Sequence, residues 1–104
     1  MPRYELTSFA RQDLIEIAEY TAKTWGKAQA LRYADALDAC FVSIAKREKP
    51  ARSVSPRYPE VFVCRCKHHY IFYLHAEHKP PRILAVLHEK MEMLQRLSRR
   101  LPPT

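Results

Sequence analysis

Glycine is almost absent from this chain, since Gly26 is the single glycine in 104 residues. One glycine is too few for the glycine-rich loops that hold nucleotide phosphates. The serines also lie outside the Gly-x-Ser-x-Gly pattern that presents the nucleophile of serine hydrolases. The sequence therefore disfavours both a nucleotide-binding protein and a serine hydrolase.

The chain has only three cysteines, an odd number, which are Cys40, Cys64 and Cys66. Three cysteines do not make an even disulfide framework. Cys64-x-Cys66 followed by His68 and His69 does not match the ligand spacing of the usual zinc sites. We expect three reduced thiols, no metal site and no cofactor.

Long apolar runs are lacking too, although apolar residues make up 47% of the chain. The longest runs have the length of single strands, and the N-terminus has no basic-then-apolar signal region. We therefore expect neither a membrane span nor export, and a cytoplasmic protein. A length of 104 residues predicts one domain over 1–104.

Positive charge is in excess, and it is unevenly distributed along the chain. The formal net charge is +7, and residues 46–104 hold 13 basic and 5 acidic residues, whereas residues 1–45 hold 5 basic and 6 acidic residues. Such a positive field favours an acidic partner, either protein or nucleic acid.

The first half predicts a short strand and a helical hairpin. Tyr4 and Leu6 alternate with polar residues, Thr7 or Ser8 can cap a helix, and Gly26 separates two helices. Asp13, Glu16 and Glu19 fall on the polar side of the first helix. The two predicted apolar stripes are Ala10, Leu14, Ile17, Ala18, Thr21 and Trp25, and then Ala30, Leu31, Ala34, Leu37, Phe41, Ile44 and Ala45.

The second half predicts a sheet followed by a basic helix. Residues 50–60 contain three prolines and predict a loop, and strands follow at 61–66, 69–75 and 82–88, the last of them apolar enough to be central. Residues 89–101 carry leucines at helical spacing. The fold class is α+β, with the order β-α-α-β-β-β(-α) and a helical hairpin packed on a mostly antiparallel sheet.

Aromatic residues alternate along the middle strand, where Tyr70 and Phe72 share one face with Leu74, and Ile71 and Tyr73 share the other. Such a stripe is more typical of a core than of a platform for stacking bases.

A polar cluster is expected where the strands end. Arg65, His69, His88, Glu89 and Lys90 supply acid, base and cationic groups of the kind that RNA cleavage requires. The alternative is that the histidines orient the strand ends by hydrogen bonding and that Arg65 pairs with a carboxylate. On the residues alone the structural interpretation is favoured.

Four motifs resemble those of a known family over residues 3–97. They are Tyr4-x-Leu6-Thr7-x-x-Ala10-x-x-Asp13-Leu14-x-x-Ile17-x-x-Tyr20, Trp25-Gly26-x-x-Gln29-Ala30-x-x-Tyr33, Arg65-Cys66-x-x-His69-x-Ile71-Phe72-Tyr73, and Ile83-Leu84-x-Val86-Leu87-His88-x-x-Met91. Together and in this order, they resemble the ParE toxins of type II toxin–antitoxin modules, within the ParE/RelE superfamily. The resemblance implies a compact sheet covered by a helical hairpin.

The resemblance also implies a choice between two activities. RelE-like members cleave mRNA on the ribosome with arginines on the middle strands, whereas ParE-like members poison DNA gyrase by binding it. Tyr70 stands where the nucleases often carry arginine, and the last strand is followed by Glu89, Lys90 and Met91. The resemblance therefore implies a gyrase inhibitor that is not an enzyme. A RelE-type endonuclease and a non-toxic basic nucleic-acid-binding module are the alternatives.

The implied partners are a cognate acidic antitoxin of the ParD kind, in a hetero-oligomeric complex, and DNA gyrase as the target. In this interpretation the sheet-end residues are structural or contact residues and none is catalytic; they are Arg65, His69, Tyr73 and His88. The candidate target-binding residues lie in the basic tail 91–104, and they are Met91, Arg96, Arg99 and Arg100. Deleting the residues after Lys90 is expected to abolish toxicity without unfolding the domain.

Overall fold

The computed structural model describes residues 3–90 and 93–101, which form a sheet with a helical hairpin on one face. The elements are β1 (Glu5–Leu6), α1 (Ser8–Trp25), α2 (Lys27–Ala45), β2 (Arg52–Ser55), β3 (Tyr58–Cys66), β4 (His69–Leu74), β5 (Arg82–His88) and α3 (Met93–Ser98). The strand order is β1-β5-β4-β3-β2, antiparallel except for the parallel pair of β1 and β5. The predicted α+β class is confirmed.

The helical hairpin begins and turns where the sequence predicts. The Thr7 hydroxyl oxygen accepts a hydrogen bond from the Ala10 N–H at 3.2 Å, and this hydroxyl donates to the Ile83 carbonyl at 2.9 Å. Thr7 therefore caps α1 and also fixes its start against β5. Gly26 ends α1 and begins α2 with φ 96° and ψ 160°, a conformation that is almost restricted to glycine.

The predicted loop over 50–60 is wrong, because this segment contains β2 and the start of β3. The two strands form an antiparallel hairpin in which Arg52 pairs with Val63 and Ser55 with Tyr58. Val54 is the single large apolar residue of β2, and prolines at 56 and 59 interrupt the alternation by which a strand is recognised. An edge strand tolerates this composition because its outer side needs no partner strand.

The two faces of the sheet are buried by different elements. Leu37, Phe41 and Ile44 of α2 pack with Ile71 and Ile83 on the hairpin side. On the other side, Leu97 of α3 and Tyr58 pack with residues that include Phe72, Leu84 and Leu87. β5 is buried on both faces, because Ile83 and Val86 belong to the hairpin-side core and Leu84 and Leu87 to the other core. It also lies inside the sheet, between β1 and β4, as its apolar sequence predicts. The predicted assignment of the β4 aromatic residues to core faces is also confirmed.

Five of the predicted helix positions are wrong, and two of them are Ala18 and Ala34, which are exposed although they belong to the predicted apolar stripes. Trp25 and Leu31, predicted as core residues, are 71% and 60% exposed. Trp25 is the last residue of α1 and lies next to the Gly26 connection. Asp13, predicted on the polar side, is buried because its carboxylate bonds to the backbone of β5.

The expectation of three reduced thiols is also wrong. Cys40 of α2 and Cys66 of β3 form a disulfide with a Cα–Cα distance of 6.5 Å, and Cys64 remains a free, half-buried thiol whose pKa is raised by burial. The two bonded cysteines are 26 residues apart in sequence. Their proximity arises only when α2 packs on the sheet, so cysteine spacing did not predict the bond.

Candidate functional site

A groove of about 830 Å³ opens between the helical hairpin and the end of the sheet. α1 contributes Tyr20 and Trp25 to it, and α2 contributes Arg32 and Tyr33. The sheet end and the C-terminal segment add histidine and basic side chains, which are His68, His69, His88, Lys90, Arg96 and Arg100, whereas α1 also contributes the carboxylates of Asp13 and Glu16. The groove therefore has an aromatic wall and a cationic wall.

The sheet-end cluster forms because β4 begins where β5 ends. His69 pairs in register with His88, and the imidazole centroids of these two residues lie 5.1 Å apart. On the neighbouring turn, the Glu89 carboxylate accepts from the Arg65 guanidinium at 2.5 Å and lies 3.2 Å from His68 Nδ1. The structure thus brings together Arg65, His69, His88 and Glu89, as predicted.

His69 is held in its neutral form by its surroundings. The Tyr33 hydroxyl lies 2.5 Å from His69 Nδ1, and it accepts a hydrogen bond from the His68 backbone N–H at 3.3 Å. Burial, with the imidazoles of His88 and His68, lowers the pKa of His69 to about 4. A neutral Nδ1 can accept the Tyr33 proton, so the hydrogen bond and the lowered pKa agree.

His88 is also bonded locally. Its Nδ1 accepts a hydrogen bond from the Lys90 backbone N–H at 3.1 Å, so the proton of the neutral ring lies on Nε2. Tyr73, predicted to belong to this cluster, does not. It pairs with Ile83 and Phe62 and packs in the hairpin-side core, four residues along β4 from His69. The alternating pattern of β4 predicts on which face of the sheet Tyr73 lies. It does not predict whether Tyr73 is close to the polar cluster at the strand end.

A buried ion pair closes the base of the groove. Asp13 accepts from the Arg100 guanidinium at 2.8 and 3.0 Å and from the Val86 N–H at 2.9 Å. Arg100 also donates to the Leu84 carbonyl at 3.3 Å and lies over the Phe9 ring. The C-terminal segment is thereby bonded to both α1 and β5.

The candidate target-binding residues divide into different environments. Arg96 and Arg99 are exposed, and Arg96 lines the groove. Arg100 forms an ion pair with Asp13 inside the domain, and Met91 lies outside the described residues. Leu97 is 1% exposed beneath α3, so the tail is part of the fold. Deleting everything after Lys90 would uncover Leu84 and Leu87 and leave Asp13 without its cation, contrary to the expectation that the domain would stay folded.

Several groove residues were not singled out from the sequence. Asp13 did give a signal, since it lies three residues after Ala10 and four before Ile17, on the buried stripe of α1. The positions of Tyr20, Trp25 and Tyr33 in the groove depend on how α1 and α2 end against the sheet. No spacing rule in the sequence carries that information.

Residues 3–90 and 93–101 also bear on two further classes of site. Within these ranges no group of three His, Cys, Asp or Glu side chains is arranged to hold a metal ion. No helix among the same residues is long and apolar enough to cross a membrane.

Fold and groove together define a small α+β domain in which the polar side chains at the strand ends are bonded to one another. The sequence model of the family described as "ParE toxin of type II toxin-antitoxin system, parDE" matches residues 4–93. The chain is 39% identical over 101 residues to "Toxin ParE" of Escherichia coli, covering 97% of this chain and 98% of that protein. The chain belongs to the ParE toxin family of type II toxin–antitoxin systems.

A solved structure supports the fold independently. A chain of "Chromosomal ParDE TA system from P. aeruginosa" superimposes with a TM-score of 0.69 and 18% identity, covering 85% of this chain and 96% of that one. At this level of identity the likeness concerns the fold alone.

Proposed function

We propose that this protein is a toxin that inhibits DNA gyrase by binding it, acts in the cytoplasm, and is neutralised by a cognate acidic antitoxin. The observation that carries the proposal is the family match over residues 4–93, together with 39% identity to a ParE toxin along almost the whole chain.

The bonding within the sheet-end cluster supports binding over catalysis. Glu89 is engaged by Arg65 and His68, His69 by Tyr33, and His88 Nδ1 by the Lys90 N–H. A general acid or base must exchange a proton with the substrate near neutral pH. A His69 pKa of about 4 does not suit that role, which supports a structural function for this residue.

The surface proposed to contact gyrase is centred on Arg96 and Arg99. Both side chains are exposed near the end of α3, where positive charge is favourable for the helix dipole. Arg100 holds this segment in place through Asp13 instead of facing a partner. Met91 remains in the proposed surface because of its position in the sequence, between Lys90 and α3.

An acidic antitoxin suits the distribution of charge. Of the 18 basic residues in the chain, 13 lie in residues 46–104 against 5 acidic residues. A partner rich in Asp and Glu would be steered to that half of the toxin, and the association would weaken as salt rises.

Two reactions with purified protein test the proposal. We expect inhibited supercoiling by gyrase and intact mRNA in a translation reaction. The variant Arg96→Glu/Arg99→Glu should lose inhibition, because it reverses two charges at the proposed contact. Arg11→Glu/Lys27→Glu is the matched control, since it makes the same charge change at helix starts, where acidic residues are tolerated.

Each other outcome would replace the proposal. Cleaved mRNA with normal supercoiling would make the protein a RelE-type endonuclease. Normal supercoiling with intact mRNA would reduce it to a basic binding module. Inhibition retained by Arg96→Glu/Arg99→Glu would remove the contact from α3.

A further inference from the structure

The apolar surface that the groove exposes is mostly aromatic. Tyr20 and Trp25 line it at 67% and 71% exposure, whereas Val86 and Leu87 of its floor are at most 2% exposed. Ile17 is half-buried against the core. A ligand entering the groove therefore meets flat rings more than aliphatic side chains.

Cationic groups also line the groove. Arg32, Lys90 and Arg96 line the groove and are exposed. Arg32 is bonded to the neutral side chain of Gln29, which leaves its charge uncompensated. On the acidic side the described lining has Glu16 and Asp13, and Asp13 is paired with Arg100. The lining is thus positive as well as aromatic.

The geometry points to a binding site for single-stranded nucleic acid in this groove, with bases stacked on Trp25 and Tyr20 and phosphates bound by Lys90, Arg96 and Arg32. Aromatic stacking beside a cationic track is the usual arrangement for binding a strand without sequence preference. A volume of about 830 Å³ lies within the usual range of ligand pockets, so the groove can hold a short stretch of nucleotides.

An acidic amphipathic helix fits the same groove less well. Such a helix docks by laying apolar side chains, at three- and four-residue spacing, into the floor of a hydrophobic groove. Here the aliphatic floor is almost fully buried, and the accessible rings stand on the wall. The inference goes beyond inhibition of gyrase and does not depend on it, because strand binding is measured without gyrase.

Trp25 provides an intrinsic probe, because it is the only tryptophan in the chain. We expect a ten-residue oligothymidine to quench Trp25 fluorescence, as a stacked base would. The log of the binding constant should fall against log salt with a slope of about −2, for about three phosphate contacts on a single strand.

Three variants separate stacking from charge. Lys90→Gln/Arg96→Gln should weaken binding at least about tenfold and flatten the salt slope, because two phosphate contacts are lost. Tyr20→Leu should weaken binding about fivefold or more with the salt slope unchanged, because it removes stacking alone. Arg11→Gln/Lys27→Gln is the control with the same charge change and should bind normally. Circular dichroism confirms that each variant is folded.

Tyr20→Leu also distinguishes this site from the proposed gyrase surface. The variant should lose oligonucleotide binding and keep inhibition of supercoiling, since Tyr20 lies outside the Arg96 and Arg99 contact. The inference is overturned if polyglutamate quenches Trp25 with equal affinity, which would make the occupant an acidic protein segment. Equal binding of duplex DNA, an unaffected Tyr20→Leu variant, or no quenching would overturn it as well.

Discussion

The Asp13 side chain forms a hydrogen bond with a backbone group on the outer edge of β5 that no neighbouring strand of the described chain pairs with. β1 covers β5 only at Arg82 and Ile83, so the outer edge of β5 continues beyond it. Asp13 accepts from the Val86 N–H on this edge, and Arg100 donates to the Leu84 carbonyl. An edge with free donors and acceptors invites pairing with other chains, and this ion pair occupies it.

We expect Asp13→Asn to lower the free energy of unfolding by about 3 kcal/mol, because it leaves the largely buried Arg100 guanidinium, whose side chain is 15% exposed, without a counter-charge. Urea unfolding at neutral pH measures the change. Glu16→Gln, one turn further along α1 and exposed, serves as the control and should change stability by less than about 0.5 kcal/mol. Equal effects of the two substitutions would show that the Asp13 pair contributes little to stability.

The lowered pKa of His69 predicts how the free energy of unfolding depends on pH. The unfolded chain binds a proton at this residue below its ordinary pKa of 6.5, whereas the folded chain does so only below about 4. Between these values the unfolded state holds more protons, so stability should fall as the pH is lowered, by at most about 1.4 kcal/mol per pH unit from this residue. Urea unfolding between pH 7 and pH 4 measures the slope.

His69→Gln isolates this effect, because glutamine can still accept the Tyr33 hydroxyl proton but does not titrate. The pKa of His75 is lowered by burial too, so part of the slope should remain in the variant. The carboxylates of Glu89 and Asp13 oppose the lowered pKa of His69, while the His88 and His68 imidazoles favour it. Identical pH profiles for the two proteins would place the dependence elsewhere.

Among the elements, α3 contributes more to stability than its six residues suggest. Leu97 packs against the sheet face opposite the hairpin. We expect Leu97→Ala to lower the free energy of unfolding by about 2–4 kcal/mol, the usual range for a buried leucine. Gln95→Ala on the exposed side of α3 is the control, and denaturant midpoints compare the two. A small effect of Leu97→Ala would mean that the tail packs only weakly.

The connection between α1 and α2 depends on Gly26. A Cβ added there would meet no atom within 4 Å, so sterics with neighbours are not the obstacle. Its φ of 96° is the obstacle, and we expect Gly26→Ala to cost about 1–3 kcal/mol through backbone strain. Lys27→Ala at the next position is the control. A thermal unfolding midpoint unchanged by Gly26→Ala would show that the connection relaxes freely.

The elements also show what the sequence could and could not predict. The limits of β5 and the caps of α1 followed from a continuous apolar run, a threonine and a lone glycine. β2 was not predictable in this way, because one valine between polar residues gives no alternation. In the site, a polar cluster with His69 and His88 was expected from the strand ends, whereas their pairing in register and the groove were not. Its aromatic wall depends on the packing of α1 and α2 against the sheet.

At the scale of the whole molecule, one covalent bond joins the helical layer to the sheet. The Cys40–Cys66 disulfide connects α2 with the end of β3, where Cys66 pairs with His69. We expect a reductant to lower the free energy of unfolding by about 3.5 kcal/mol, the loop-closure value for a bond of this sequence separation. Unfolding with and without reductant measures this.

Cys40→Ser and Cys64→Ser are the matched variants. The first should have the stability of the reduced protein under both conditions, and the second should respond to reductant as the parent does. A parent protein with three titratable thiols in the absence of reductant would contradict the disulfide.

The ion pair between Asp13 and Arg100 also has a consequence for biosynthesis. The two residues are separated by 87 positions, and the ribosome makes the acidic partner first. Protein synthesis proceeds at roughly 5–20 residues per second, so roughly 4–17 s pass between the synthesis of Asp13 and that of Arg100. Any nascent chain that stops before Arg100 contains a carboxylate with no cation to accompany it into the core. The domain therefore reaches its full stability only after Arg100 has been synthesised and has joined the fold.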